Sequence, residues 1–459
     1  MRRTAVPIVA RLGPLGHPAR LTVTGFLVVN IVGALVLMLP VSSRTGDWTG
    51  LITALFTATS AVCVTGLVVV DTATYWSPLG QAVVLGLIQI GGLGIMTAAS
   101  LLGLLVARRM GLRMQLIAQA ETKTLRLGET RRVVRGVLAM SLVIEVVVAA
   151  VLAARRLATT SESFGSAVYY GVFHAISAYN NAGFALHEDS LVRHATDAWM
   201  IVPITVAFML GGLGFPVVFE TTRWIAARRR GTRLPGWSLH TKITVLTYFG
   251  LLVAGIMLVT ALEWGNPGTL GPLSLPGKLL TGAFHGATPR TAGFNSVDMG
   301  AMHPTTLLVN DALMFVGGGS AGTAGGIKVT TFALLAFVVA AEIRGQPTVH
   351  VMGRRLAATV QRQAITVALL GVAVVLVATM TLLWMSDRPL DAVLFEVVSA
   401  FGTVGLSTGI TASLPATGQL LLIVVMFIGR VGPITLASAL ALREHERRYE
   451  LPEERPIVG

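Results

Sequence analysis

The sequence is short of charge and of sulfur. Only 12% of its 459 residues are charged, about half the share usual in soluble domains. Against that, 53% are hydrophobic and the mean hydropathy is +0.73. One cysteine, Cys63, rules out an internal disulfide framework and a cysteine-built metal site. It reads as a small packing residue in an apolar stretch rather than as a reactive thiol. Acidic residues are scarce too, 22 Asp and Glu against 35 Lys and Arg, for a net charge of +13. In a soluble protein that excess would point to nucleic acid. In a chain this apolar it is first a matter of membrane topology. What is missing therefore implies a polytopic membrane protein.

Glycine is abundant, 50 residues in all, and part of it is periodic. The stretch Thr57–Asp71 runs from a short apolar helix into small and hydroxyl residues, then into Val64-Thr65-Gly66 and an extended apolar segment. It returns as Phe173–Asp189, Phe284–Asp298 and Phe395–Gly409. Each copy carries a glycine followed by Leu or Phe: Gly66, Gly183, Gly293 and Gly405, at intervals of 117, 110 and 112 residues. Ser60, Ser177 and Ser399 stand six residues before their glycines, where the third copy has Ala287. A fixed period of this kind marks an internal repeat.

Around each glycine the order is the same: a long apolar segment, a short one, the glycine loop and a second long apolar segment. Segments of 10–13 residues are too short to cross a bilayer and suit re-entrant helices. The expectation is an all-α polytopic membrane protein of four M1–pore helix–M2 repeats, with eight transmembrane helices and four re-entrant pore loops. The repeats cover residues 21–110, 136–230, 231–345 and 346–442. They are joined by a basic linker at 111–135 and flanked by an N-terminal segment, 1–20, and a tail, 443–459. The run Leu21–Pro40 reads as a retained first helix rather than a signal peptide.

With both termini cytoplasmic, the inside segments hold four basic residues at the N-terminus, eight between Arg108 and Arg135 and six between Arg223 and Lys242. Four more lie between Arg344 and Arg362 and four in the tail, so that 26 of the 35 are inside. This asymmetry fixes the orientation and leaves no excess charge for nucleic acid. The linker has the composition to lie on anionic membrane lipid or to dock a cytosolic partner.

Glycine at one position in four loops suits a cage of backbone carbonyls for a dehydrated alkali cation. The residues lining such a path are Val64, Thr65, Asn181, Ala182, Thr291, Ala292, Thr403 and Val404. None is a carboxylate, which argues against a calcium-type acidic ring. The bland alternative is a set of helix–loop turns in some other transporter. Asp71, Glu188 and Asp298 each stand five residues past their glycine and either concentrate cations at an outer mouth or are solvated loop charges.

A second glycine recurrence lies in the later spanning segments: Gly91-Gly92, Gly211-Gly212, Gly317-Gly318-Gly319 and Gly429-Arg430. In the first two repeats simple packing explains it. In the third the run extends through Gly322, Gly325 and Gly326, a composition no continuous helix favours. The expectation there is a broken helix with a loop at membrane depth, lacking the Lys-Ser/Thr ending of a phosphate-binding loop. Arg430 falls where the other repeats have glycine and reads either as part of a gate with that loop or as a pin between helices. Lys328 is expected at the cytoplasmic surface, Arg290 as a brace of the third loop, and Glu145 as a partner between helices. His174 and His285 are expected to pack at the starts of their short helices.

The motifs SAVCVTGL, AYNNAGF, TPRTAGF and GTVGLSTG, with the glycine-rich loop and Arg430, resemble the potassium-translocating subunits of the KtrB/TrkH family. The likeness covers essentially the whole chain, and length favours the KtrB branch. It implies a pseudo-fourfold pore for K+, selective because Gly66 is glycine, and Na+ as an activator. It also implies a homodimer gated by a cytosolic ring of KtrA-type nucleotide-binding subunits, with no nucleotide site in this chain. Two alternatives stay open: a Na+-coupled K+ symporter, and the K+-binding subunit of an ATP-driven pump.

Overall fold

The computed structural model describes residues 18–109, 127–232 and 236–432. The expected N-terminal segment up to residue 17, most of the basic linker and the tail lie outside the described residues, as does the end of the fourth repeat from 433. The described chain is almost wholly helical. Two-residue strands, β1 (His350–Val351) and β2 (Arg354–Arg355), form an antiparallel hairpin that an all-α reading omits.

The helices fall into four similar runs. The first holds α1 (Pro18–Met38), α2 (Leu51–Val62), the one-turn α3 (Thr72–Tyr75) and α4 (Pro78–Arg109). The second holds α5 (Leu127–Thr159), α6 (Phe164–Tyr179), α7 (Ala198–Leu213) and α8 (Phe215–Arg229). Then come α9 (Leu239–Glu263), α10 (Leu275–Ala287), α11 (Pro304–Phe315) and α12 (Val329–Ile343). The last run is α13 (Ala358–Met385), α14 (Leu390–Gly402) and α15 (Ala416–Val431).

Burial is arranged from the inside out. Every residue of α14 from Phe395 to Gly402 is buried, and α2 is buried from Phe56 to Val62. In the long helices α5, α9 and α13 only 33%, 22% and 28% of the most apolar window is buried, so their apolar side chains face outward. That is the profile of helices whose solvent is lipid. Three described helices are long and apolar enough to cross a membrane, or four if the pair α7–α8 is one span.

Packing closes on itself. The helix that ends each run's glycine segment packs against the next run's short helix: α4 on α6, α7 on α10, α11 on α14 and α15 back onto α2. Phe56, Phe173, Phe284 and Phe395, at most 1% exposed, anchor the short helices in this ring by close packing.

Two breaks depart from straight spans. The second long apolar segment of the second repeat turns through 103° between α7 and α8, at Gly214 with φ +87°, a backbone that L side chains resist. Between α11 and α12, residues 316–328 form the expected non-helical loop, closed at its neck by Gly317 N–H on the Ile327 carbonyl at 2.8 Å. Arg residues in the last turn of α8, Arg228 and Arg229, suit the negative end of its dipole.

Candidate functional site: a ring of four glycine loops

Each short helix runs into the same backbone. Val64, Asn181, Thr291 and Thr403 have φ of +55°, +60°, +70° and +49°, and two residues later Gly66, Gly183, Gly293 and Gly405 have +95°, +69°, +76° and +97°. Left-handed backbone at β-branched Val64, Thr291 and Thr403 is an outlier held only by its surroundings. Alternating left- and right-handed residues turns successive carbonyls to one side of the loop.

The four glycines meet. A Cβ placed on Gly183 would lie 2.8 Å from the Gly293 Cα, and one on Gly293 would lie 3.4 Å from the Gly405 Cα. One on Gly405 would lie 3.0 Å from the Gly66 Cα, and one on Gly66 3.2 Å from the Gly183 Cα. The same Cβ atoms would collide with the carbonyl oxygens of Ala182, Val404 and Thr65 and crowd that of Ala292 at 3.1 Å. So the ring 66–183–293–405 is closed, and the carbonyls of the residues just before the glycines converge in it. The hydroxyls of Thr65 and Thr403 are buried beside it with no protein partner.

Each loop is tied to its own helix by one pattern. The N–H groups of Thr65, Ala182, Ala292 and Val404 donate to the carbonyls of Ser60, Ser177, Thr288 and Ser399 at 2.7–2.9 Å. The side chains of those four residues bond the loop again. Ser60 and Ser399 accept from the Gly66 and Gly405 N–H groups at 3.0 and 3.1 Å. Ser177 and Thr288 donate to the carbonyls of Phe184 and Phe294 at 2.8 and 2.7 Å. Thr288, not Ala287, is therefore the third counterpart. The third loop is one residue shorter, and counting back from the glycine misses this. Counting forward four residues from each buried phenylalanine finds all four.

Outward from the ring lies a cavity of about 270 Å³, lined by the four glycines and by residues of the extended segments that follow. Asp71 and Glu188 line it and Asp298 does not. Asp71 caps α3, accepting from the Thr74 N–H at 2.7 Å, and Asp298 accepts from the Gly300 N–H at 2.9 Å. The three acids thus do not form one equivalent rim. His187 also lines the cavity. Burial, then Arg193 and Arg156, pushes its imidazole down to about 4.

Inward from the ring sits the loop of residues 316–328. Gly319 and Thr323 donate their N–H groups to the carbonyls of Gly212 (2.8 Å) and Gly211 (3.1 Å), so the second run's glycines carry the loop rather than merely pack. The Thr323 hydroxyl donates to Asn181 Oδ1 at 2.7 Å, and Asn181 Nδ2 reaches Thr291 Oγ1 at 3.3 Å, which joins the loop to the glycine ring. Space for a side chain at Gly318 and Gly322 is taken by backbone of Gly212 and Gly211, and at Gly325 by the Thr403 hydroxyl and the Gly402 carbonyl. Gly326 turns out of the loop at φ +61°. Arg430, 3% exposed, donates to the Gly91 carbonyl at 2.9 Å and to that of Thr323. Its partners are carbonyls on α4 and on the loop.

The remaining residues singled out by the sequence also find their places. Arg290 is fully buried, donates to the Gly317 carbonyl at 3.0 Å and stacks on Tyr248. Its side chain therefore holds the root of the inner loop against α9, where the sequence suggested a brace of its own loop. Lys328 departs from expectation: its Nζ turns back onto the Ala324 carbonyl at 2.5 Å instead of reaching the surface. Glu145 joins α5 to α4 through Gln89 at 3.1 Å and accepts from Ser141 at 2.7 Å. His174 lies in the second half of α6 and His285 in the last turn of α10, not at their starts.

Comparison with known proteins shows the family. A family model described as TrkH, cation transport protein, matches residues 19–448. The Ktr system potassium uptake protein B of Bacillus subtilis is 39% identical over 434 residues, covering 94% of this chain and 95% of that one. Its namesake from Vibrio alginolyticus is also 39% identical, over 97% of this chain and 95% of its own. The potassium/sodium uptake protein NtpJ of Enterococcus hirae is 34% identical, with 96% and 97% covered. The crystal structure of the potassium transporter TrkH from Vibrio parahaemolyticus superposes with a TM-score of 0.73 at 17% identity, over 96% of this chain and 87% of that one, which speaks for the fold. With a family model over nearly its whole length and relatives at this identity, the chain belongs to the TrkH family of cation transport proteins, membrane transporters and not enzymes.

Proposed function

We propose that this chain takes up K+ across the cell membrane through the ring of Gly66, Gly183, Gly293 and Gly405. The observation that carries the reading is the closed circle of four left-handed glycine loops with carbonyls converging inside it. Such a cage replaces a hydration shell without fixed charge. The C-terminal ends of α2, α6, α10 and α14 lead into it, and their dipoles favour a cation there. Here the four runs are M1–pore helix–M2 repeats, eight spans in all, with both termini cytoplasmic by the distribution of basic residues.

The loop from Gly317 to Gly326, clasped by Arg430, is the gate in its closed form. Arg430 holds the loop across the path beneath the ring and repels cations while it does so. Opening releases the Thr323 carbonyl. The relatives named as Ktr system proteins support a separate regulatory subunit; the form we propose for the assembly is a homodimer gated by a cytosolic ring of KtrA-type nucleotide-binding subunits. The relative named for both potassium and sodium favours a second reading, in which Na+ activates or accompanies uptake.

Uptake in a K+-transport-deficient bacterium, at high and low Na+, tests this. Wild type restores growth on low K+, and Gly66→Ser loses the preference for K+ over Na+. Unchanged selectivity in Gly66→Ser would remove the ring from the conduction path.

A further inference from the structure

Beyond each glycine the chain runs outward as an extended segment behind which its own short helix stands. In three of the four runs one helix side chain reaches across to that segment. His174 Nδ1–H donates to the Tyr170 carbonyl at 2.9 Å, which leaves Nε2 to accept the Leu186 N–H at 3.3 Å. His285 Nε2 accepts the N–H groups of Ser296 and Val297 at 3.0 and 3.1 Å. Glu396 Oε1 accepts the Thr408 N–H at 3.1 Å and the Ser407 hydroxyl, and its Oε2 accepts from Thr411 at 2.8 Å. All three side chains are at most 1% exposed.

The positions correspond one to one. His174, His285 and Glu396 each follow the buried phenylalanine of their helix, and Leu186, Ser296 and Thr408 each stand three residues past Gly183, Gly293 and Gly405. Two imidazoles and a carboxylate share neither shape nor charge. They share a lone pair aimed at one backbone N–H. Packing residues would have no reason to agree on that. The first run has the shorter Thr57 in this place.

A held N–H fixes a carbonyl. In a planar trans peptide the N–H and the preceding C=O point opposite ways, so an N–H drawn back toward the helix sends its carbonyl forward. Those carbonyls belong to Ala185, Asn295 and Ser407, residues that line the outer cavity together with Val68 of the first run; the Asn295 carbonyl also accepts the Leu191 N–H at 2.9 Å, which takes one of its two lone pairs. An N–H left without an acceptor here would also be a buried unsatisfied donor, and rotation of the peptide would be its way out.

We propose that His174, His285 and Glu396 are positioning residues that hold three peptide planes so that the carbonyls of Ala185, Asn295 and Ser407 form an outer cation subsite above the glycine ring. This rests on the ring being the K+ path. The side chains never touch the ion; they set selectivity through the backbone.

The test compares acceptor-keeping and acceptor-removing variants by the ratio of K+ to Na+ uptake. Gln Oε1 stands where an imidazole Nε2 or a carboxylate Oε1 stands, and Leu fills similar space with no lone pair. His285→Leu and Glu396→Leu are expected to lower the ratio by about five- to tenfold, the scale of one lost hydrogen bond. His285→Gln and Glu396→Gln should stay within about twofold of wild type. If the leucine proteins do not accumulate in the membrane, His174→Gln and His174→Leu decide in their place, since that site makes a single longer bond to its segment. Leucine variants with the wild-type ratio, or glutamine variants as unselective as leucine, would overturn the proposal. Wild type and Gly66→Ser are measured alongside. If those two do not differ in selectivity, the ring itself has failed; if they differ and the leucine variants match wild type, only the brace has.

Discussion

Thr288 carries two jobs in the third loop: its carbonyl accepts the Ala292 N–H and its hydroxyl donates to the Phe294 carbonyl. Thr288→Val keeps the shape and removes the second bond, at a cost of about 1 kcal/mol. A lower melting temperature and a reduced preference for K+ over Na+ are expected together, and Thr288→Ser should restore both. A valine variant with unaltered preference would mean that the hydroxyl serves the fold alone. At the outer end, His187 makes a pH prediction. Its folded value of about 4 lies below the ordinary 6.5 because of burial and of Arg193 and Arg156. The unfolded chain therefore binds the proton first as pH falls. Thermal stability should drop between pH 6.5 and 4, and His187→Gln should flatten that slope. A slope unchanged in the variant would assign it to other groups.

At the scale of elements, the inner loop is held from three sides: by Gly211 and Gly212 of α7, by Asn181 of the ring and by Arg430 of α15. Arg430→Ala removes two charge-assisted bonds, each worth about 1.5–3 kcal/mol. If the loop is the gate, basal uptake without any regulatory partner rises by about tenfold or more. If Arg430 is only a pin, uptake and melting temperature fall together, and the gating reading fails. Parts of this arrangement are legible in the sequence. Glycine is the residue that left-handed backbone favours, so four spaced glycines locate four loops, although Val64, Asn181, Thr291 and Thr403 take the same conformation without that signature; a glycine run too weak for a helix locates the break. What holds the loop is hidden because the acceptors are backbone carbonyls of Gly91, Gly211 and Gly212, which leave no side-chain signature. The 103° bend at Gly214 lies inside an unbroken apolar stretch that reads as one span. Lys328 escapes a sequence reading for a similar reason: its carbonyl partners on the loop exist only once the loop is folded. His174, His285 and Glu396 look unrelated in the sequence because their common feature is a lone pair rather than a residue type.

For the whole molecule, the outward-facing apolar helices describe a body fixed in a membrane, and that sets what can drive transport. On the channel reading proposed above, the source of work is the field. One charge crossing 100 mV releases about 2.3 kcal/mol, enough to hold roughly fiftyfold accumulation of a monovalent cation. In proteoliposomes with an imposed potential, negative inside, tracer rubidium should accumulate to that limit without nucleotide and collapse when the potential is dissipated. Accumulation beyond the limit that appears only with an inward Na+ gradient would establish coupled symport. No accumulation from potential alone, in protein whose fold is intact by melting, would leave a pump subunit as the reading. The three outcomes separate because each mechanism draws on a different source of work, whatever the ion site looks like.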